Sequence, residues 1–316
     1  MKRRLLRLLA WLLLVVLVLT GITVGAAWFL LDYALKPAMM SEAEAMEFAE
    51  TKLSGLRSWT DSLRTAGTLR DTTISAADGT PLHAWYANSP RSNGRTAILL
   101  HGYGACAPAM MHLGRMYYRD LGYNILLPDL RHAGRSGGDY VGMGWPDRLD
   151  VVQWIHAAPQ LFGWKTRIVV HGISMGAATT MMTAGEDTPA SVRAFVEDCG
   201  YTSVDEQFSK EIVEMFHLPA FPLVPTASLL CRFRYGWTFG GASAVKAVSH
   251  CAKPMLFIHG SADDFVPTDM VRHLYNAKPQ PKALWVAPAS GHAESYADHT
   301  EEYTERVAEF LQPYMK

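Results

Sequence analysis

Ser174 stands between two glycines in Gly172-Ile173-Ser174-Met175-Gly176, directly behind the run Arg167-Ile168-Val169-Val170-His171. A β-branched run of this kind reads as a buried strand, and Met175 to Ala184, rich in Ala, Met and Thr, reads as a helix. Strand, sharp turn and helix form the setting in which G-x-S-x-G becomes a nucleophile elbow, with the serine Oγ projecting above the sheet. Side chains two residues either side would collide with the turn and the neighbouring strands, which accounts for the glycines. The chemistry on offer is attack of a hydroxyl on a carbonyl carbon. It requires a base to take the proton and an acid to orient that base.

In this arrangement the partners follow in the order serine, acid, histidine. Behind the apolar segment Met255–His259 comes Gly260-Ser261-Ala262-Asp263-Asp264-Phe265-Val266-Pro267, a loop whose carboxylate could reach across a sheet edge. Asp263 is the expected acid; Asp264 next door and Asp198, just past the preceding strand, are the alternatives. Lys282–Ala287 reads as the final strand and is followed by Ser290-Gly291-His292-Ala293-Glu294. Of the twelve histidines, only His292 follows that strand in a loop, so it is the expected base. His299 falls within or near the last helix and reads as a surface residue. The oxyanion of a tetrahedral intermediate needs two backbone N–H donors, each worth about 3–4 kcal/mol. Met175, after the nucleophile, supplies one. Tyr103, in the loop His101-Gly102-Tyr103-Gly104, is the expected second.

The elements that must position these groups alternate along the chain. Asp78-Gly79 separates Arg70–Ser75 from Leu82–Ala87, a hairpin signal. Thr96–His101, Asn124–Pro128, the elbow strand, Val192–Glu197, Met255–His259 and Lys282–Ala287 read as strands. Pro108–Leu121, Pro146–Ala157, Thr268–Asn276 and Tyr296–Tyr314 read as helices between or after them. This rhythm builds a mostly parallel sheet covered on both faces, an α/β fold. Three strands end in His-Gly, at His101, His171 and His259, which marks one sheet edge as the active face; the three imidazoles themselves read as structural. Residues 201–245 break the rhythm as a cap insertion. Its Phe208, Met215, Phe216, Phe221, Phe233, Tyr235, Trp237 and Phe239 could line an apolar acyl or aromatic pocket, or pack the cap onto the core. Arg232 and Arg234 are candidates to meet a carboxylate or phosphate.

A rival reading starts from Gly102-Tyr103-Gly104-Ala105-Cys106-Ala107, which matches G-x-G-x-x-A between a strand and a helix, with Asp129 as a ribose-binding acid. A dinucleotide fold gives no reason for the elbow, Asp263 and His292 to follow at three later strand ends. The stretch Asp129 to Gly138, dense in turn formers and positive charge, reads instead as a loop bordering a pocket.

The 316-residue chain opens with Lys2, Arg3, Arg4 and Arg7, after which no residue from Leu8 to Leu31 is charged. That run is long enough to span a bilayer as a helix. A signal peptide cleaved after Val24-Gly25-Ala26 is the alternative, although its apolar region is usually shorter. Basic residues before the span place the N-terminus in the cytoplasm and the rest outside. The expected division is a basic N-terminus over 1–7, an anchor over 8–31, a stalk or helical linker over 32–69, and one catalytic domain over 70–316. Ser41 and Glu44 form a capping box in the linker, with Met46, Ala49, Leu53 and Leu56 on one helix face; a helix packed by that face on the catalytic domain or the membrane surface is the alternative to a stalk. A net charge of −1 offers nothing to nucleic acid. Four cysteines are too few for a disulfide framework; Cys231–Cys251 is the first pair to test for a bridge, and the absence of a C-x-x-C pair argues against structural zinc.

With His101 to Gly104, Asp129 to Gly138, Gly172 to Gly176, Asp263 to Pro267 and Ser290 to His292 in place, the chain from about residue 70 resembles an α/β-hydrolase. It is similar to bacterial membrane-anchored serine hydrolases related to the serine aminopeptidase and prolyl oligopeptidase branches. One departure is Arg131-His132-Ala133-Gly134-Arg135-Ser136, where this branch commonly has R-G-H-G-x-S; no role is therefore carried over to His132. The resemblance implies hydrolysis of a small-molecule ester, thioester or amide through an acyl-enzyme, without metal or organic cofactor. A peptidase of the serine aminopeptidase type is the alternative. A non-catalytic ligand-binding relative would ordinarily lack a triad member, and none is lacking here.

Overall fold

The computed structural model describes Lys2–Lys316; Met1, part of the expected basic N-terminus, lies outside the described residues. Eight strands form one sheet in the order β1-β2-β4-β3-β5-β6-β7-β8. They are β1 Leu69–Ser75, β2 Pro81–Ala87, β3 Arg95–Leu100, β4 Asn124–Pro128, β5 Arg167–Ile173, β6 Val192–Asp198, β7 Met255–Gly260 and β8 Lys282–Ala287. The pairs β1/β2 and β2/β4 are antiparallel and the others parallel. The fold is that of an α/β-hydrolase. From β3 the chain goes one way to β4 and then returns past β3 to β5, so the order reverses between β3 and β5. A crevice forms at the carboxyl ends of strands at such a reversal, and it is here that the elbow lies.

Strand periodicity builds two cores. Ile98 and Leu100 of β3, with Ile168 and Val170 of β5, face one side; Ala97, Leu99 and Val169 face the other. Among the described residues the α-helices are α1 Lys2–Leu35, α2 Glu42–Lys52, α3 Leu56–Thr65, α4 Met111–Arg115, α5 Asp147–Phe162, α6 Met175–Ala184, α7 Val204–Phe216, α8 Ala220–Tyr235, α9 Ala244–Ser249, α10 Asp269–Ala277, α11 Ser295–Asp298 and α12 Thr300–Leu311. The helix expected over 108–121 is broken into a 3-10 turn, the short α4 and a π turn. Gly114 within it packs against Ile125 and Leu127 of β4. The helix expected over 296–314 is likewise two helices, parted at His299, whose Nε2 meets the Pro288 carbonyl.

Two expectations for the N-terminal third change. The Ser41–Glu44 capping box is present, but residues 32–69 are not a stalk. Ala45, Met46 and Ala49 of α2 and Leu56 and Leu63 of α3 are buried against the domain. The boundary expected at residue 31 is not one either. α1 stands almost fully exposed from Lys2 to Gly25, then buries Ala27, Leu31 and Leu35 in the domain core, mainly against α8. Apolar residues at i, i+4 and i+8 share one helix face, and this face is the one α8 covers. The uncharged run thus serves two environments in succession.

Candidate active site

The elbow forms because the backbone forces it. Ser174, at the N-terminus of α6, adopts φ +57°, ψ −119°, a conformation costing about 1–3 kcal/mol for a non-glycine residue. A Cβ on Gly172 would stand 2.0 Å from the Gly176 carbonyl oxygen, and one on Gly176 2.0 Å from that of Leu100. The Ser174 N–H is held by the Asp198 carbonyl at 2.8 Å. The hydroxyl meets His292 Nε2 at 2.9 Å, and His292 Nδ1 meets Asp263 Oδ2 at 2.8 Å. A carboxylate only accepts, so Nδ1 carries the proton and Nε2 is free to accept from Ser174. The three residues expected from three separate strand ends are therefore in one hydrogen-bonded line.

Burial pushes the Asp263 carboxyl upward, but hydrogen bonds from His259 and His292 outweigh it and hold the pKa down, at about 2. His259 was expected to be structural, yet its Nε2 lies 3.3 Å from Asp263 Oδ2 and donates to the Val266 carbonyl at 2.8 Å. It positions the carboxylate, as do the N–H groups of Phe265 and Val266 on Asp263 Oδ1. Only the shared His-Gly ending could have drawn attention to it. Asp264 is exposed and joins nothing in this line. Asp198 serves a second line behind the elbow. Tyr117 O–H donates to His171 Nδ1 (3.0 Å), His171 Nε2–H to Tyr303 Oη (2.9 Å), and Tyr303 O–H to Asp198 Oδ2 (3.0 Å). Burial lowers the His171 pKa to about 3 and raises that of Asp198 to about 6, which keeps the imidazole neutral in that chain.

The loop after β3 carries Tyr103 over the same space. His101 fixes it as expected of a structural imidazole, with Nδ1–H on the Gly102 carbonyl and Nε2 accepting from Leu130 N–H, each at 2.9 Å. Among the described residues, neither the Tyr103 nor the Met175 N–H meets a protein acceptor. Asp129 is no ribose clamp. It is buried beneath His83 Nδ1 (2.7 Å), Ala107 N–H (2.8 Å) and Arg135 N–H (3.0 Å), so both its oxygens are engaged internally. The 129–138 loop does not border the cavity that holds Ser174. Its arginines are tied to the scaffold, Arg131 by Asp78 and Asp150, Arg135 by Glu42 and Asp71, and His132 meets the Gly138 carbonyl.

The cavity, about 490 Å³, holds Ser174, Met175 and Tyr103 at one end. Phe208, Met215, Phe216 and Phe239 of the cap line it, as the sequence allowed. Phe221 and Phe233 instead point to solvent, at 78% and 81% exposure. Trp237 packs on Phe239, and Tyr235 on Tyr140. Arg234 pairs with Asp32 at 2.6 Å and lies over Trp28, so it is engaged with α1 rather than offered to a ligand. The unforeseen wall is α1 itself: Leu30, Leu31, Tyr33 and Ala34 line the cavity beside the cap residues. Lys36 and Glu211 are its charged residues, and burial raises the Glu211 pKa. Cys231 and Cys251 form no bridge; all four cysteines are buried free thiols. Donor atoms of Cys199, Asp263 and His292 lie within 4.8 Å of one another. Two of them already bond to each other, and burial holds the Cys199 thiol protonated, so this set suits proton transfer better than metal ligation.

A model of the prolyl oligopeptidase family matches residues 112–316. The uncharacterized protein YqkD of Bacillus subtilis is 31% identical over 229 residues, covering 72% of this chain and 74% of that one. The α/β hydrolase domain-containing protein WAV2 of Arabidopsis thaliana is 23% identical, covering 77% and 79%. Among solved structures, the esterase Pf2001 of Pyrococcus furiosus superposes with a TM-score of 0.65 at 25% identity, over 80% of this chain and 94% of that one. An acylaminoacyl peptidase of Pyrococcus horikoshii, at 18% identity and a TM-score of 0.58, shares the fold over 78% of this chain and 42% of its own.

Proposed function

The chain belongs to the prolyl oligopeptidase family and is a serine hydrolase, and from that premise we propose that it is a membrane-anchored esterase acting through Ser174, His292 and Asp263. The observation that carries this reading is the unbroken line Ser174 Oγ–His292–Asp263, with bonds of 2.9 and 2.8 Å. As Ser174 Oγ attacks the substrate carbonyl, its proton passes to His292 Nε2. The imidazolium formed is stabilised by the ionised Asp263, and the oxyanion by the Tyr103 and Met175 N–H groups. Collapse expels the alkoxide, which takes the proton from Nε2 and leaves an acyl-Ser174 ester. Water then gives a proton to Nε2 and its hydroxide to the acyl carbon, and the second collapse returns the proton to Ser174 as the acid departs.

Ester over amide follows from the cavity wall, which is overwhelmingly apolar. A peptidase reading would have to use Glu211 to receive a substrate amine; it is the acidic residue of the lining. The α1 helix is a candidate membrane span by length and composition. With Lys2, Arg3, Arg4 and Arg7 before it, the N-terminus lies in the cytoplasm and the domain over 70–316 outside. A signal peptide cleaved after Ala26 would still leave Ala27, Leu31 and Leu35 in the core. In turnover of p-nitrophenyl butyrate by the full chain, His292→Ala and Asp263→Asn are expected to lower kcat by on the order of 10⁴. Retention of near-native kcat in either variant would overturn the assignment.

A further inference from the structure

The last third of α1 does what a tether need not do: it walls the cavity that holds Ser174. The uncharged residues standing clear of the domain, 8–25, span about 27 Å as a helix, close to the ~30 Å hydrocarbon core of a bilayer. Contact between α1 and the domain therefore begins where the hydrocarbon ends. Trp28, Phe29 and Tyr33 are exposed at that level, the position of interfacial aromatic anchors. α8 packs along α1, and its Phe221, Leu229 and Phe233 are each exposed, as apolar side chains at a membrane surface would be. The lining of one cavity thus includes both Ser174 and the α1 residues Leu30 and Leu31, which joins the elbow to the segment at the bilayer surface.

We infer that the substrate is a fatty-acyl ester resident in the membrane, its acyl chain lying between the α1 segment Leu30–Ala34 and the cap residues Phe208, Ile212 and Met215. The chain enters from the leaflet without crossing water, and the scissile carbonyl comes to rest between Ser174 Oγ and the Tyr103 and Met175 N–H groups. This rests on the proposed function in both its parts, the Ser174 nucleophile and the membrane-spanning helix. The leaving group is not selected by this wall; the acyl chain is.

The test uses the full chain in phosphatidylcholine vesicles, with p-nitrophenyl esters from butyrate to octanoate below their aggregation limit and 1-palmitoylglycerol in the bilayer. Each buried methylene is expected to raise kcat/KM about fourfold until the cavity is filled, and palmitoylglycerol is expected to be hydrolysed. Two substitutions narrow the cavity from opposite walls, Ala34→Trp on α1 and Met215→Trp on the exposed side of α7. Either is expected to lower the octanoate-to-butyrate ratio of kcat/KM at least tenfold, roughly the yield of two methylenes. Fluorophosphonate labelling of Ser174 reports that each variant is folded. Labelling with a flat or falling chain-length profile, or with ratios unmoved by both variants, overturns the lipid inference and leaves the serine hydrolase standing. Labelling that does not depend on Ser174 overturns both.

Discussion

The Tyr103 hydroxyl donates a hydrogen bond to the Ala34 carbonyl at 2.8 Å, joining the loop proposed to hold the oxyanion to the end of the N-terminal helix. A second bond, from Met40 N–H to the Gly104 carbonyl at 2.8 Å, fastens the other side of that loop to the segment leaving the helix. The position of one proposed donor is thereby tied to residues at and just after the end of α1. In Tyr103→Phe the N–H remains and the hydroxyl tether goes. Loss of one such bond is expected to cost about 1 kcal/mol of stability, read as a lower midpoint of thermal unfolding in detergent. If the loosened loop forfeits the same energy in the transition state, kcat falls about fivefold. An unchanged kcat would mean that the loop holds its place without the helix.

Asp263 and Asp198 lie in adjacent loops at the same sheet edge, but their environments push them in opposite directions, which gives a pH test of their roles. Asp198 has a folded pKa of about 6, above the ordinary value near 3.9. Its contribution to stability is full below about pH 4 and is lost as pH rises through 6. Asp198→Asn is therefore expected to gain stability over the native chain as pH rises from 4 to 8, by up to about 2–3 kcal/mol. Asp263 is held down at about 2, so its contribution is present above about pH 4 and lost as pH falls through 2. Asp263→Asn should lose stability at neutral pH and converge on the native chain in acid. Urea unfolding at a series of pH values reads both. In activity, Asp198→Asn should keep kcat within about tenfold, because its carboxylate bonds Tyr303 and not His292; a loss as deep as that of Asp263→Asn would make Asp198 the acid.

Much of this was legible in the sequence, because strand ends in an α/β sheet leave few places for a serine, an acid and a base. Short apolar runs marked the strands nearly to the residue: Asn124–Pro128 and Lys282–Ala287 needed no correction. The glycines around Ser174 could be read because a Cβ at either would strike backbone. The role of Leu30 to Ala34 could not be read. An exposed apolar residue and one facing a protein core obey the same hydropathy, and only the fold shows that the helix passes from exposure to burial at Ala27. Asp129 was open to two readings in the same way, since a carboxylate at a strand end looks alike whether it waits for a ribose or is bonded by His83 and two N–H groups; the later strand ends decided against the ribose. His259 escaped because its ring reaches Asp263 only after the loop between them has turned back on itself.

The central claim is that Ser174 is the nucleophile, and fluorophosphonate labelling of the full chain in detergent tests it most directly. The native protein is expected to carry one covalent adduct, mapped to the peptide containing Ser174. Ser174→Ala is expected to carry none while unfolding with a transition like that of the native chain. A folded Ser174→Ala protein that still labels would contradict the account.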